Sequence, residues 1–163
     1  MTTDKNTQKV INPIIKPTTP DDIAGLTAVL DGTQLFPSDM LPDMLAPALA
    51  GEGEAFWLTC HYGGEAVGLC YTVPEELADG TWNMLALAVR PDLQGKSLGA
   101  ALVSAAEQHL KDKGQRILIV DTSGTEEFAL TRKFYAQNGY QEEARIRDFW
   151  AEGDDKVIFR KAL

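Results

Sequence analysis

Gln94, Gly95, Lys96, Ser97, Leu98, Gly99 and Ala100 form a short stretch whose residue types can hold an anion. Gly95 and Gly99 let backbone come close to a ligand, because neither carries a β-carbon. They flank the start of a helix, where unpaired N–H groups and a partial positive charge face outward. A phosphate or pyrophosphate is the ligand that suits such a place. Two well-known phosphate loops do not fit. Gly95-Lys96-Ser97 matches the end of a nucleoside-triphosphate loop, but Arg90 stands where that loop needs its upstream glycine. The dinucleotide fingerprint G-x-G-x-x-G is also absent, since Lys96, Ser97 and Leu98 separate the two glycines.

The flanking residues supply the elements that must position this loop. Leu85–Val89 is an apolar strand that runs into a turn at Pro91. Beyond the loop, Leu98, Ala101, Leu102, Ala105, His109 and Leu110 recur at helical spacing, with Gly114 as the stop. A second informative stretch, Arg132 to Tyr140, reads as a helix that ends at the Gly139 turn and passes into a strand.

Together the two stretches resemble the GNAT superfamily of N-acyltransferases. In that family a strand ending in V-x-P leads into Q/R-x-x-G-x-G/A and a helix. Here Val89, Pro91 and Gln94 through Gly99 stand in those places, with Ser97 where the family usually has its first motif glycine. Serine can occupy a helix start and cap it. Tyr135 through Tyr140 is similar to the family's Y-x-x-x-G-F/Y. The run Arg145 to Trp150, with Gly153 to Lys156, looks like small bacterial members whose acceptor is unassigned. The resemblance spans residues 13 to 163, and its specific parts are the loop at 89–100 and the helix end at 134–140.

The resemblance implies acetyl-CoA as co-substrate, held by the residues of the 94–100 loop, with no metal. It also implies that backbone N–H groups at Leu87, Ala88 and Val89 meet the pantetheine arm and the acyl carbonyl, where an oxyanion needs donors. Tyr135 becomes the general acid beside the CoA sulfur. Phenol chemistry allows this role, because an ordinary tyrosine pKa of about 10 lets it donate to a thiolate of similar basicity. An asparagine often found earlier on this helix in the family has no counterpart, since Phe128 falls near its place. The activity implied is direct transfer of acetyl to a primary amine in a ternary complex. Dimers are common in the family, which makes a homodimer the oligomer to test.

Amine acylation needs a neutral nitrogen. A lysine-like amine at pH 7 carries a penalty of about 4.6 kcal/mol for losing its proton, from a pKa near 10.4. Asp121, at the end of the fifth strand, and the Glu75-Glu76 pair are carboxylates that could relieve it. Neither has a spacing signature, so no base is assigned. Two other classes compete with the transferase. A non-catalytic acyl-CoA-binding module would keep the loop without needing Tyr135, and an NTPase domain would be revealed by ATP competition.

The formal charge of −9 argues against nucleic acid and anionic lipid as partners and mildly favours a cationic acceptor. No apolar run is long enough to span a bilayer, and no start of the chain reads as a secretion signal. The two cysteines, Cys60 and Cys70, lie on a hairpin turning at Gly63-Gly64, where direct pairing would set Cys60 nearer Val67 than Cys70. A disulfide is not expected, and a reducing cytoplasm is the simpler location. His61 and His109 lack metal-ligand spacing, and His109 reads as a satisfied boundary residue. Trp57, Trp82 and Trp150 read as core residues on strands.

Residues 1–12 are polar and aperiodic, a loose terminus before one domain over 13–163. A strand at Ile14–Lys16 precedes a helix opened by Pro20-Asp21-Asp22 and ended by Gly32. Irregular helix follows Ser38, with Met40, Leu41, Met44, Leu45, Ala48 and Leu49 as its apolar side. In the family this region helps wall the acceptor pocket. Strands are expected over Ala55–His61, Glu65–Val73, Trp82–Val89 and Ile117–Val120. A helix over Thr125–Asn138, with Phe128, Leu130 or Thr131, Phe134 and Tyr135 inward, then leads to strands over Glu142–Trp150 and Lys156–Arg160. The order β-α-α-β-β-β-α-β-α-β-β makes an α/β (α+β) fold. It implies a mixed, mostly antiparallel sheet of six to seven strands flanked by about four helices.

Overall fold

The computed structural model describes residues 10–163. Of the loose terminus expected over 1–12, residues 1–9 lie outside the described residues. The remainder, Val10 to Asn12, has no regular structure. Strands β1 (Ile14–Pro17), β2 (Phe56–Tyr62), β3 (Glu65–Pro74), β4 (Thr81–Val89), β5 (Ile117–Ser123), β6 (Gln141–Ala151) and β7 (Asp154–Ala162) form one sheet. Its order is β1-β2-β3-β4-β5-β7-β6. Every neighbouring pair is antiparallel except β4 with β5. The helices are α1 (Ile23–Thr33), α2 (Leu41–Leu49), α3 (Leu98–Asp112) and α4 (Ala129–Gln137). None among the described residues is long and apolar enough to cross a membrane.

The parallel pair is what opens the sheet. A parallel neighbour needs a crossover, and α3 supplies it. β4 and β5 pair only at Thr81, Asn83 and the residue between them, opposite Ile117 to Ile119. Past that point β4 follows β3 to Val89 while β5 follows β7 to Ser123. A bulge sharpens the divergence: Tyr71 faces Ala86 and Thr72 faces Met84, leaving Leu85 as an extra residue, 54% exposed.

Each face of the sheet carries its own core. Cys60, Val67, Met84 and Val120 pack with Leu98, Leu102 and Leu110 of α3 and with Tyr135 of α4. Leu26 and Leu30 of α1 and Leu45 of α2 pack with Trp57, Leu69 and Ala86 on the other face. Gly25 allows the second contact, because a β-carbon there would stand 2.8 Å from the Ala66 carbonyl oxygen.

Several expectations need correction. Gly32 does not end α1; the helix runs to Thr33 and Gln34 takes the left-handed turn at φ 54°. Gly32 instead admits Pro91, whose ring would meet a β-carbon at 3.1 Å. Met40 and Leu49 are exposed, since the buried side of α2 is Leu41 and Leu45. Phe128 and Leu130 are exposed, and Tyr135 is the only buried residue of α4. The fifth strand extends beyond Val120 to Ser123 because β7 pairs with it that far.

His109 is not satisfied. Its ring packs on Phe56 at 4.2 Å between centroids, and its buried Nε2 has no partner. Burial holds its pKa below the usual imidazole value. Trp57 and Trp82 are core, but Trp150 is half exposed. β6 departs from β7 between Ile146 and Ala151, and this excursion carries Phe149 and Trp150 off the ladder. Cys60 pairs with Gly68 and Cys70 with Leu58, so both thiols are free and buried.

Candidate functional site

A cleft of about 550 Å³ opens beside the end of β4. On one side the end of β4 contributes Leu87, Ala88 and Val89. Next come Gln94, Gly95, Ser97 and the first residues of α3, Leu98, Gly99 and Ala100. The far wall is α4, with Leu130, Thr131, Phe134 and Tyr135. Lys96 is the one expected loop residue that does not line the cleft; its side chain is exposed.

The loop takes its shape from two left-handed residues, Gly95 at φ 82° and Ser97 at φ 63°. Such alternation turns successive N–H groups toward one point. The first hydrogen bond of α3 runs from the Ala101 N–H to the Ser97 carbonyl, 3.1 Å. The N–H groups of Leu98, Gly99 and Ala100 therefore have no carbonyl within their own helix. Ser97 occupies the cap position, but its hydroxyl makes no capping bond, contrary to what its residue type suggests. The Gln94 amide donates to the Val89 carbonyl at 3.2 Å and ties the loop to the end of β4.

Tyr135 is 5% exposed, with its ring against Tyr140 and Phe159 at 5.7 Å between centroids in each case. Its hydroxyl finds no hydrogen-bond partner among the described residues, although the residue lines the cleft. Burial pushes its pKa above the usual tyrosine value, so the phenol is protonated at neutral pH. Tyr140 differs, since its hydroxyl donates to Glu107 at 3.0 Å.

A polar cluster missed in the sequence sits where β4 and β5 part. Asn83 uses its Nδ2 to donate to Glu75 Oε1 at 3.0 Å and to Asp121 Oδ2 at 3.3 Å. Lys156 Nζ reaches the same Asp121 oxygen at 3.1 Å and lies 4.3 Å from the centre of the Phe149 ring. The Trp150 indole N–H donates across β7 to the Thr122 carbonyl at 3.3 Å. Glu75 and Asp121 are two of the three carboxylates that could relieve the amine of its proton; Asn83, which joins them, has no sequence signature. Glu76 is exposed.

A sheet parted between two parallel strands, with a helix starting beside the gap, is the fold of GNAT-type acetyltransferases. The chain belongs to the acetyltransferase (GNAT) family, whose model matches residues 27–140. No curated protein matches it by sequence. Among solved structures it is similar to a GNAT-family protein of Desulfovibrio desulfuricans, at 26% identity and a TM-score of 0.84, over 93% of this chain and 99% of that one. An aminoglycoside 6'-N-acetyltransferase in complex with coenzyme A matches 91% of this chain and 96% of its own, at 16% identity and a TM-score of 0.74. The ribosomal-protein-S18-alanine N-acetyltransferase of Escherichia coli matches 93% and 94%, at 17% identity and a TM-score of 0.72. At these last two identities the likeness concerns the fold.

Proposed function

We propose that this protein moves an acetyl group from acetyl-CoA to a primary amine by direct attack in a ternary complex. One observation carries the reading. The residues with unpaired N–H groups at the start of α3, the end of β4 and Tyr135, whose hydroxyl has no partner among the described residues, all line the same cleft. The helix start takes the pyrophosphate. Leu87 and Val89 offer main-chain donors along the acyl arm, while Ala88 between them pairs with Leu69 of β3, and Tyr135 offers its O–H to the departing sulfur. Because burial makes this phenol a weak acid, its contribution is a hydrogen bond to the developing thiolate rather than early proton release.

The cysteines favour direct transfer. An acyl-cysteine intermediate needs an accessible thiolate. Cys60 and Cys70 are fully buried, and burial pushes the Cys70 thiol up to about 12. Nitrogen is supported as the acceptor atom by the two named neighbours, one acting on an aminoglycoside and the other on a ribosomal-protein alanine.

Calorimetry with acetyl-CoA, free CoA and ATP tests the reading. Micromolar binding of acetyl-CoA that ATP does not match is expected, followed by amine-dependent thiol release. A protein that binds ATP equally well, or no CoA at all, would overturn it. A non-catalytic module would bind acetyl-CoA and release no thiol with any amine.

A further inference from the structure

We propose that Glu75, Asn83 and Asp121 form the site that receives the ammonium group of a cationic acceptor. Calling the ligand an acceptor rests on the transferase reading above; the binding site itself rests on the cluster. Asn83 is 6% exposed, and its Oδ1 is buried without a partner. Asp121 Oδ1 is likewise buried and unpartnered. The amide cannot be turned round to cure this, because its oxygen would then face two carboxylates. Both open valences are therefore acceptors, and both need N–H or O–H donors.

Charge narrows the ligand further. Glu75 and Asp121 contribute two formal negative charges, and Lys156 supplies one positive charge at Asp121 Oδ2. Glu75 pairs with no cation among the described residues. One negative charge remains without a counter-ion in a half-buried place. Water would satisfy the two oxygens and leave that charge. A primary ammonium brings one positive charge and three donors, and so answers both needs. The aromatic rings of Phe149 and Trp150, beside Lys156, add a cation-compatible edge. The cluster also stands where β4 and β5 part, two residues along β4 from the Leu85 bulge.

The test is a titration of the 15N-labelled full chain with n-butylammonium chloride, following the Asn83 side-chain amide peaks by NMR. n-Butanol serves as the uncharged match. A saturable shift with the ammonium and none with the alcohol is expected. Glu75→Gln and Asp121→Asn, which keep shape and remove charge, should each weaken the response about tenfold or more. No shift, an equal shift with butanol, or undiminished affinity in both variants would overturn the proposal. Acetyl-CoA calorimetry on the same samples separates the two ideas. Acetyl-CoA binding without an ammonium response defeats the cluster alone. An ammonium response without acetyl-CoA binding defeats the transferase reading and leaves the site in place.

Discussion

The ring of Phe134 stands 3.4 Å from where a β-carbon on Gly99 would lie. A methyl group at Gly99 would just touch that ring, so the first turn of α3 and the wall formed by α4 leave room for little more. Gly99→Val would place two more carbons between them, on the side where the cleft opens. Loss of acetyl-CoA binding by calorimetry is expected, with a far-ultraviolet circular dichroism spectrum like that of the parent. Unimpaired binding would mean that the cleft does not run between Gly99 and Phe134.

Ser97 holds a left-handed backbone without the freedom of glycine. The conformation costs roughly 1–2 kcal/mol in a residue with a β-carbon. Ser97→Gly should recover that, less the greater entropy glycine loses on folding, for a net gain of about 0.5–1 kcal/mol in urea denaturation. Its hydroxyl caps nothing, so no bond offsets the gain. Acetyl-CoA affinity should be equal or tighter. A drop in stability would show that the serine side chain makes a contact worth more than the strain.

Tyr135→Phe removes only a hydroxyl that has no partner among the described residues. Stability should be unchanged or slightly raised. Turnover should fall about 100-fold, the scale of losing one hydrogen-bond donor to a developing anion, while acetyl-CoA binding stays within error. An unchanged rate at saturating substrates would take Tyr135 out of the chemistry.

Asp22 links the start of α1 to β2. It accepts the Thr19 N–H at 2.9 Å and pairs with His61 Nε2 at 2.8 Å. Burial works to raise its pKa, but the Thr19 and His61 contacts outweigh burial and hold it below the ordinary 3.8. A depressed carboxylate stabilises the fold above its unfolded pKa and stops doing so as the pH falls through the folded one. Unfolding free energy should therefore drop as the pH goes below about 3.8, and Asp22→Asn should flatten that part of the curve. A parent and variant with parallel curves would show that Asp22 is not the titrating group.

Legibility in the sequence followed the range of the interactions involved. The 94–100 loop and α3 are local: glycine and proline mark the ends, and a helical repeat fills the middle. The cluster at Asn83 is not local. Asn83 and Asp121 meet only because β4 and β5 pair across the α3 crossover, and no spacing within either strand announces it. The Leu85 bulge is equally silent, since an apolar residue in an apolar strand gives no sign that it has slipped out of register. Trp150 misled by its type. All eleven residues of β6 are exposed, so an aromatic there covers its neighbours rather than filling a core. Glu107 on α3 is the opposite case. It is a buried charge made tolerable by Lys161 at 2.7 Å and the Tyr140 hydroxyl, one from β7 and the other just past α4.

The short pairing of β4 with β5 also has a mechanical consequence. Three residue pairs are the whole of the ladder joining β1–β4 to β5, β7 and β6. Facing amides beyond that seam, on β4 past Asn83 and on β5 past Ile119, lack a lateral strand on the gap side. Parting the two blocks along this seam would break few ladder hydrogen bonds, which leaves the shared core on the α3 face as their main connection. Deuterium uptake should be fastest along its two lips, and a ligand lying between them should slow both lips together.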